Sequence, residues 1–217
     1  MPLAHDLFLN SFDLLNFIDQ TEDELHKLST LSISLKNLDQ VLAIGERLSS
    51  GLLDSFLKSQ EIKSVNLDIR KVMITDNNFG KASPIIDLIN KRAYEIIDPL
   101  LNDSIIITQG FIGSTENGNT TTLGRNGSDY SAALLADVLK AKSLEIYKDV
   151  LGIYENDPKL NPKAKLIEKL SFSEMLSISN LGSQILHISA INHCQSKKIP
   201  IRIKSFSSPL KKGTCIR

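Results

Sequence analysis

No stretch of this chain approaches the roughly 20 consecutive apolar residues that a membrane-spanning helix needs, so no transmembrane helix is expected. Charge of one sign is equally lacking. The 25 Lys and Arg balance the 25 Asp and Glu, and a formal net charge of zero leaves no basic footprint for nucleic acid or an anionic membrane. Cysteine is scarce: Cys194 and Cys215 show neither a CxxC nor a metal-ligand spacing. The N-terminus lacks the basic segment and apolar core of a secretory leader, so both cysteines read as reduced thiols of a cytoplasmic protein. The four histidines, His5, His26, His187 and His193, are scattered, and no metal centre is expected from them.

What is present is ordinary for a soluble globular protein: 217 residues, 41% hydrophobic and 23% charged, without internal repeats or a long linker. One domain is expected, with a mostly helical part over residues 1–60 and an α/β part over 61–217. Apolar spacing from His5 to Lys27 predicts helix broken near Asp19-Gln20-Thr21, with Thr21-Glu22-Asp23-Glu24 capping a second helix. Leu38 to Leu57 is a longer amphipathic helix. Inside it, Gly45-Glu46-Arg47-Leu48-Ser49 reads either as close approach to a ligand or as a tight helix crossing with its charges in water. Val65–Ile69, Val72–Ile74, Leu144–Tyr147 and Pro200–Lys204 are β-prone. Ile105–Thr108 suits a strand buried on both faces, leading into Gln109-Gly110-Phe111-Ile112-Gly113 at the edge where parallel sheets bind ligands. Asn117-Gly118 is a hairpin turn. Ile85–Leu101, Phe172–Leu176 and Ile185–Cys194 read as helices, so strands and helices alternate. Lys197 to Arg217 is locally basic, a solvated edge or a phosphate-pocket wall.

The densest concentration of functional groups is Thr120-Thr121-Thr122-Leu123-Gly124-Arg125-Asn126-Gly127-Ser128-Asp129-Tyr130-Ser131, followed at once by a helical Ala132-to-Leu139 segment. A hydroxyl- and glycine-rich loop opening onto a helix N-terminus favours anions, because unpartnered N–H groups and the helix dipole both point there. Arg125 adds a planar fork for a carboxylate or phosphate. Asp129 falls in or near the first helical turn, suited to a cap, a metal or a bound charge.

These residues resemble the aspartate kinases, which have the amino-acid kinase fold. The resemblance rests on Gly45-Glu46-Arg47-Leu48-Ser49, Gly110-Phe111-Ile112-Gly113, Thr120 to Arg125, Gly127-Ser128-Asp129-Tyr130, Asp149-Val150, Gly152-Ile153-Tyr154, Asp157-Pro158-Lys159 and Leu186-His187, in order over residues 38–214. It implies an α/β three-layer αβα sandwich with a mainly parallel sheet. The implied activity is ATP-dependent phosphorylation of the side-chain carboxylate of L-aspartate, the entry to lysine, threonine and methionine biosynthesis. By the same resemblance Glu46 meets the substrate ammonium and Arg125 its carboxylate, while Phe111, Gly127 and Ser128 line that pocket. Asp129, with Arg125, belongs to the catalytic centre. Asp149, Tyr154, Lys159 and Lys204 are carried over as nucleotide contacts, Mg²⁺ accompanies ATP, and a homodimer is implied.

The chain departs from the family pattern in several places. It has no Lys-Phe-Gly-Gly-Thr-Ser loop, so a domain without its first strand or two, and without the family's regulatory domains, is expected. Such a truncation implies an exposed sheet edge or apolar face. Asn126 stands where glycine is usual, Lys148 where threonine is usual, Leu151 where the residue is acidic or small and polar, Gln184 where lysine is usual and Ile188 where proline is usual. Two alternatives follow: a non-catalytic remnant that binds aspartate or nucleotide, and a kinase of this fold acting on another carboxylate or phosphate.

Overall fold

A computed structural model describes residues 12–156, 160–161, 163–180 and 185–217. The chain divides into two compact units, the first ending at Ser128 and the second running from Asp129 to Arg217.

The first unit opens with α1 (Phe12–Ser29) and α2 (Leu35–Ser59). α1 runs unbroken through the expected interruption. Thr21 does not cap a new helix: it is buried in the middle of α1, and its hydroxyl donates to the Phe17 carbonyl one turn back (2.7 Å). α2 starts at Ser34, whose hydroxyl accepts the Asn37 N–H (3.1 Å), so Ser34 is its N-cap. The two helices meet at Gly51, where a methyl group would sit 2.8 Å from the Phe17 ring, whereas Gly45 faces open space. Close helix packing therefore needs glycine at 51 and leaves 45 unexplained by packing. Arg47 joins the same junction, paired with Glu24 at 2.7 Å and lying over the Phe17 ring.

β1 (Ser64–Leu67) pairs in parallel with β3 (Ile105–Thr108), forming a two-stranded sheet. The apolar run of β3 is not buried on both faces as expected, since Ile105 is 52% exposed and the following three residues are half-buried. In this sheet β3 is an edge strand. A second sheet has the order β2 (Ile74–Thr75), β4 (Ile112–Thr115), β5 (Thr120–Thr122), with β2 and β4 parallel and β4 and β5 forming the hairpin. Gly118 supplies its turn at φ +78°. α3 (Ile86–Ile96) ends ahead of a short 3-10 turn at Asp98–Leu100, where Pro99 cannot donate a helical hydrogen bond. Ile69, Val72, Met73, Ile89 and Ile112 form the buried apolar contacts of this unit.

α4 (Gly127–Val138) begins at the end of the first unit and continues into the second. The second unit then adds β6 (Leu144–Lys148), β7 (Lys169–Leu170), α5 (Phe172–Asn180), α6 (Ile188–Lys197), β8 (Ile201–Ser205) and β9 (Thr214–Ile216). The strand order is β6-β8-β9-β7, with β6/β8 and β7/β9 parallel and β8/β9 antiparallel. Ala133, Met175, Ile191, Ile201, Ile203 and Ile216 anchor its core. Across both units the strands are mainly parallel, giving an α/β fold. Burial, and then the Asp137 carboxylate, push the Cys194 thiol up to about 11. The thiolate is the reactive form, so Cys194 is expected to resist alkylation at pH 8 until the chain unfolds. Mass spectrometry of a timed iodoacetamide reaction checks this, and rapid native labelling at Cys194 would refute it.

Candidate active site

The three threonines that opened the densest motif lie not in a loop but in β5, all buried. Their hydroxyls are spent inside the first unit. Thr120 Oγ1 accepts from Arg70 (2.9 Å), Thr121 shares a hydrogen bond with Thr75 (2.7 Å), and Thr122 donates to Asp39 (2.7 Å). Asp39, fully buried on α2, also accepts the backbone N–H groups of Thr122 (3.1 Å) and Gly80 (2.8 Å). Arg70 is held in turn by Asp68 (2.6 Å). Burial pushes the Asp68 carboxyl up, but hydrogen bonding and the charge of Arg70 pull it below the ordinary carboxylate value. The threonines thus form a rigid support rather than an anion cradle.

The loop proper is short. Gly124 (φ +80°) and Asn126 (φ +59°) both take left-handed backbone, and between them Arg125 is set out at the exposed surface. The backbone at 126 is left-handed, and asparagine is among the side chains that tolerate that conformation best. Phe111 also has positive φ (+69°), and its carbonyl accepts the Leu123 N–H at 2.8 Å, tying the β3–β4 turn to this loop. A methyl group on Gly127 would meet Leu123 at 2.8 Å and the Phe111 ring at 3.2 Å, and one on Gly110 would meet Ser128 at 2.9 Å. Phe111, Gly127 and Ser128 are therefore brought together by close packing that requires glycine at 110 and 127.

Glu46 lies two helical turns along α2 from Asp39, on the same face. It is half-buried with no hydrogen-bond or ion-pair partner among the described residues, and burial raises its pKa above the ordinary 4.5. The adjacent Arg47 is committed to Glu24.

In the second unit, Asp129 is 8% exposed in the first turn of α4. Its oxygens accept from Lys148 Nζ (3.1 and 3.4 Å) and from the backbone N–H of His187 (3.2 Å), the N-cap of α6. Parallel register places Tyr147 opposite Lys204 and Lys148 opposite Ser205, so the carboxyl ends of β6 and β8 gather Lys148, exposed Asp149 and Lys204 at one edge. That edge is where open α/β sheets bind ligands. Lys204 lies 5.3 Å above the Tyr147 ring and 3.5 Å from Glu145, groups that raise its pKa. Tyr154 follows in a bridge with Leu166, near Gly152, where a methyl group would collide with Thr214. Lys159 lies outside the described residues. Sequence reasoning missed Asp39 and the Lys148–Asp129 pair; the unusual lysine at 148 was the one available signal for the latter.

Residues 12–205 match the model of the amino acid kinase family, and the chain belongs to that family. Its sequence is 38% identical over 192 residues to lysine-sensitive aspartokinase 3 of Escherichia coli, covering 88% of this chain and 43% of that enzyme. It is 39% identical over 177 residues to the aspartokinase of Chlamydia trachomatis, covering 82% of this chain and 41% of that one. The crystal structure of E. coli aspartokinase III in complex with aspartate and ADP superposes with a TM-score of 0.85 at 35% identity, over 94% of this chain and 45% of that chain. The present chain thus spans less than half the length of these relatives.

Proposed function

We propose that this chain phosphorylates the side-chain carboxylate of L-aspartate with ATP. The observation that carries the reading is the superposition, at a TM-score of 0.85 and 35% identity, on an aspartokinase crystallised with aspartate and ADP. The groups assigned to aspartate, namely Glu46, Phe111, Arg125, Gly127 and Ser128, all belong to the first unit. Those assigned to the nucleotide end, namely Asp129, Asp149, Tyr154 and Lys204, all belong to the second, as does Lys159 in the sequence.

The attacking carboxylate is ionised at neutral pH, so no general base is required. The work is positioning and charge neutralisation. Arg125 orients the substrate carboxylate through a two-point contact, and Glu46 receives the ammonium. A carboxylate oxygen attacks the γ-phosphorus, and the bond to the β,γ-bridging oxygen breaks with its electron pair leaving on ADP. Among the described residues no group of three His, Cys, Asp or Glu could hold a metal alone. Asp149, an exposed carboxylate at the end of β6, would meet a Mg²⁺ carried on the nucleotide phosphates, and the ion would supply charge neutralisation. A homodimer completes the reading, supported by the exposed Leu35, Leu38, Leu42, Leu53 and Phe56 of α2. No described helix is long and apolar enough to cross a membrane.

A coupled ADP-release assay with aspartate, alongside separate titrations of aspartate and Mg·ATP, tests the function. Turnover supports it. Binding of both ligands without turnover would make the chain a binding remnant, and absence of binding would overturn the reading.

Glu46→Gln separates substrate recognition from structural support. The folded chain holds the Glu46 proton more tightly than the unfolded chain does, because burial raises its pKa. The associated stability is full below the unfolded value of about 4.5 and is lost as pH rises through the higher folded value. Glu46→Gln is expected to abolish that pH dependence without lowering stability at pH 7, and to weaken aspartate binding about 100-fold through loss of the ammonium's counter-charge. Thermal melts from pH 4 to 8 and aspartate titration measure both. Unchanged affinity would remove Glu46 from the site.

A further inference from the structure

We infer that Lys148 is a catalytic residue, contacting the phosphoryl group being transferred, and that Asp129 positions it. This rests on the kinase reading above and assigns the cation at its nucleotide end.

Three sources of positive potential converge on the Asp129 carboxylate. One is the N-terminus of α4, in whose first turn it sits; another is the N-terminus of α6, reached through the His187 N–H; the third is the Lys148 ammonium. A helix N-terminus repels a cation, so an ammonium is stable there only with an anion beside it. One buried carboxylate serves all three, and Asp149, another acid at this edge, is exposed to solvent. A phosphoryl oxygen is a second anion that the ammonium and the helix N-termini can hold there.

The lysine can respond to such a ligand. Its side chain is 30% exposed, while that of Asp129 is 10% exposed, so the carboxylate is fixed and the ammonium reaches solvent. Lysine presents three N–H donors on a flexible stem, and the two Asp129 oxygens at 3.1 and 3.4 Å engage only part of that capacity. Lys148 is also the last residue of β6, in register with Ser205 at the end of β8, and therefore on the ligand-binding edge of the sheet. On binding of a triphosphate, the ammonium keeps one Asp129 oxygen and donates to a γ-phosphoryl oxygen. As the carboxylate nucleophile attacks, it neutralises charge on the moving group, with no proton transferred.

The test compares the 217-residue chain with its Lys148→Met and Lys148→Arg variants, titrating each with Mg·ATP and Mg·ADP and measuring turnover with aspartate. A γ-phosphoryl contact predicts that Lys148→Met weakens ATP about tenfold, leaves ADP within about twofold and lowers kcat about 100-fold with little change in the KM for aspartate. Lys148→Arg, which keeps the charge, is expected to recover part of the ATP preference. Loss of ATP and ADP affinity together, or no loss of either, would show Lys148 to be an internal counter-charge for Asp129 only and overturn the inference. If Lys148→Met melts at markedly lower temperature, its ATP-to-ADP affinity ratio measured below that temperature decides, and a ratio equal to wild type counts against a directed contact. If the unaltered chain binds no nucleotide, the kinase reading has failed and this assignment falls with it. If it binds ATP and the variants match it, only the assignment to Lys148 fails.

Discussion

An Arg125→Ala chain is expected to lose on the order of a thousandfold in kcat/KM for aspartate, about 4 kcal/mol, while its unfolding temperature stays within a degree or two of the parent. The two halves of this expectation come from different features. Arg125 stands at an exposed loop position, so cutting it back removes little buried surface. The loop conformation is set by the left-handed backbones of Gly124 and Asn126 and by the strand β5 behind it. The functional half follows from chemistry: a planar fork gives a carboxylate two parallel charge-assisted hydrogen bonds, and alanine offers none. Arg125→Lys keeps the charge but loses the two-point geometry, and is expected to recover only part of the activity. Steady-state kinetics at varied aspartate with saturating Mg·ATP measures all three proteins. An alanine variant with an unchanged KM for aspartate and unchanged kcat would remove Arg125 from the reaction.

How far the sequence revealed this site depends on how local the controlling interactions are. Strand and helix order was legible because apolar spacing is a local property, and the glycine positions at 110 and 127 were legible because a motif spans them. The left-handed backbone at 126 suits asparagine as well as the glycine expected there, a point that residue identity alone leaves open. Thr120 to Thr122 sit among clustered hydroxyls and glycines that suggest a loop. Their β-branched side chains favour a strand, and burial against Asp39, Thr75 and Arg70 decided the matter. Thr21 and the acids after it look like a cap, which suggests a break in α1. Packing on α2 carries the helix through, with the Thr21 hydroxyl turned back onto Phe17. The Lys148–Asp129 pair joins residues 19 apart, across a helix and a strand, and no local pattern encodes it.

Asp39 is the extreme case of such a hidden contact, and the largest stability effect is expected there. It sits on α2, fully buried, 83 residues from the Thr122 groups that it holds. Three donors converge on its carboxylate: the Thr122 hydroxyl at 2.7 Å, the Thr122 N–H at 3.1 Å and the Gly80 N–H at 2.8 Å. Asp39→Ala leaves all three without an acceptor in a buried place, where each stranded neutral donor costs about 1–3 kcal/mol. Partial relaxation and entry of water reduce the sum, so a loss of about 3–5 kcal/mol is expected, a large share of a typical domain's stability. Asp39→Asn is the sharper comparison. Its amide oxygen can still accept both N–H groups while its NH₂ donates to the Thr122 hydroxyl, which turns to accept, so only the charge is lost and a smaller loss is expected. Because β5 leads straight into the loop bearing Arg125, the alanine variant is also expected to lose aspartate affinity at temperatures where it remains folded. Urea denaturation of the three proteins gives the stabilities, and aspartate titration at low temperature gives the coupling. If Asp39→Ala unfolds at the parent's midpoint, the carboxylate is not the anchor of β5. If it is destabilised yet binds aspartate normally, the support given by β5 ends before Arg125.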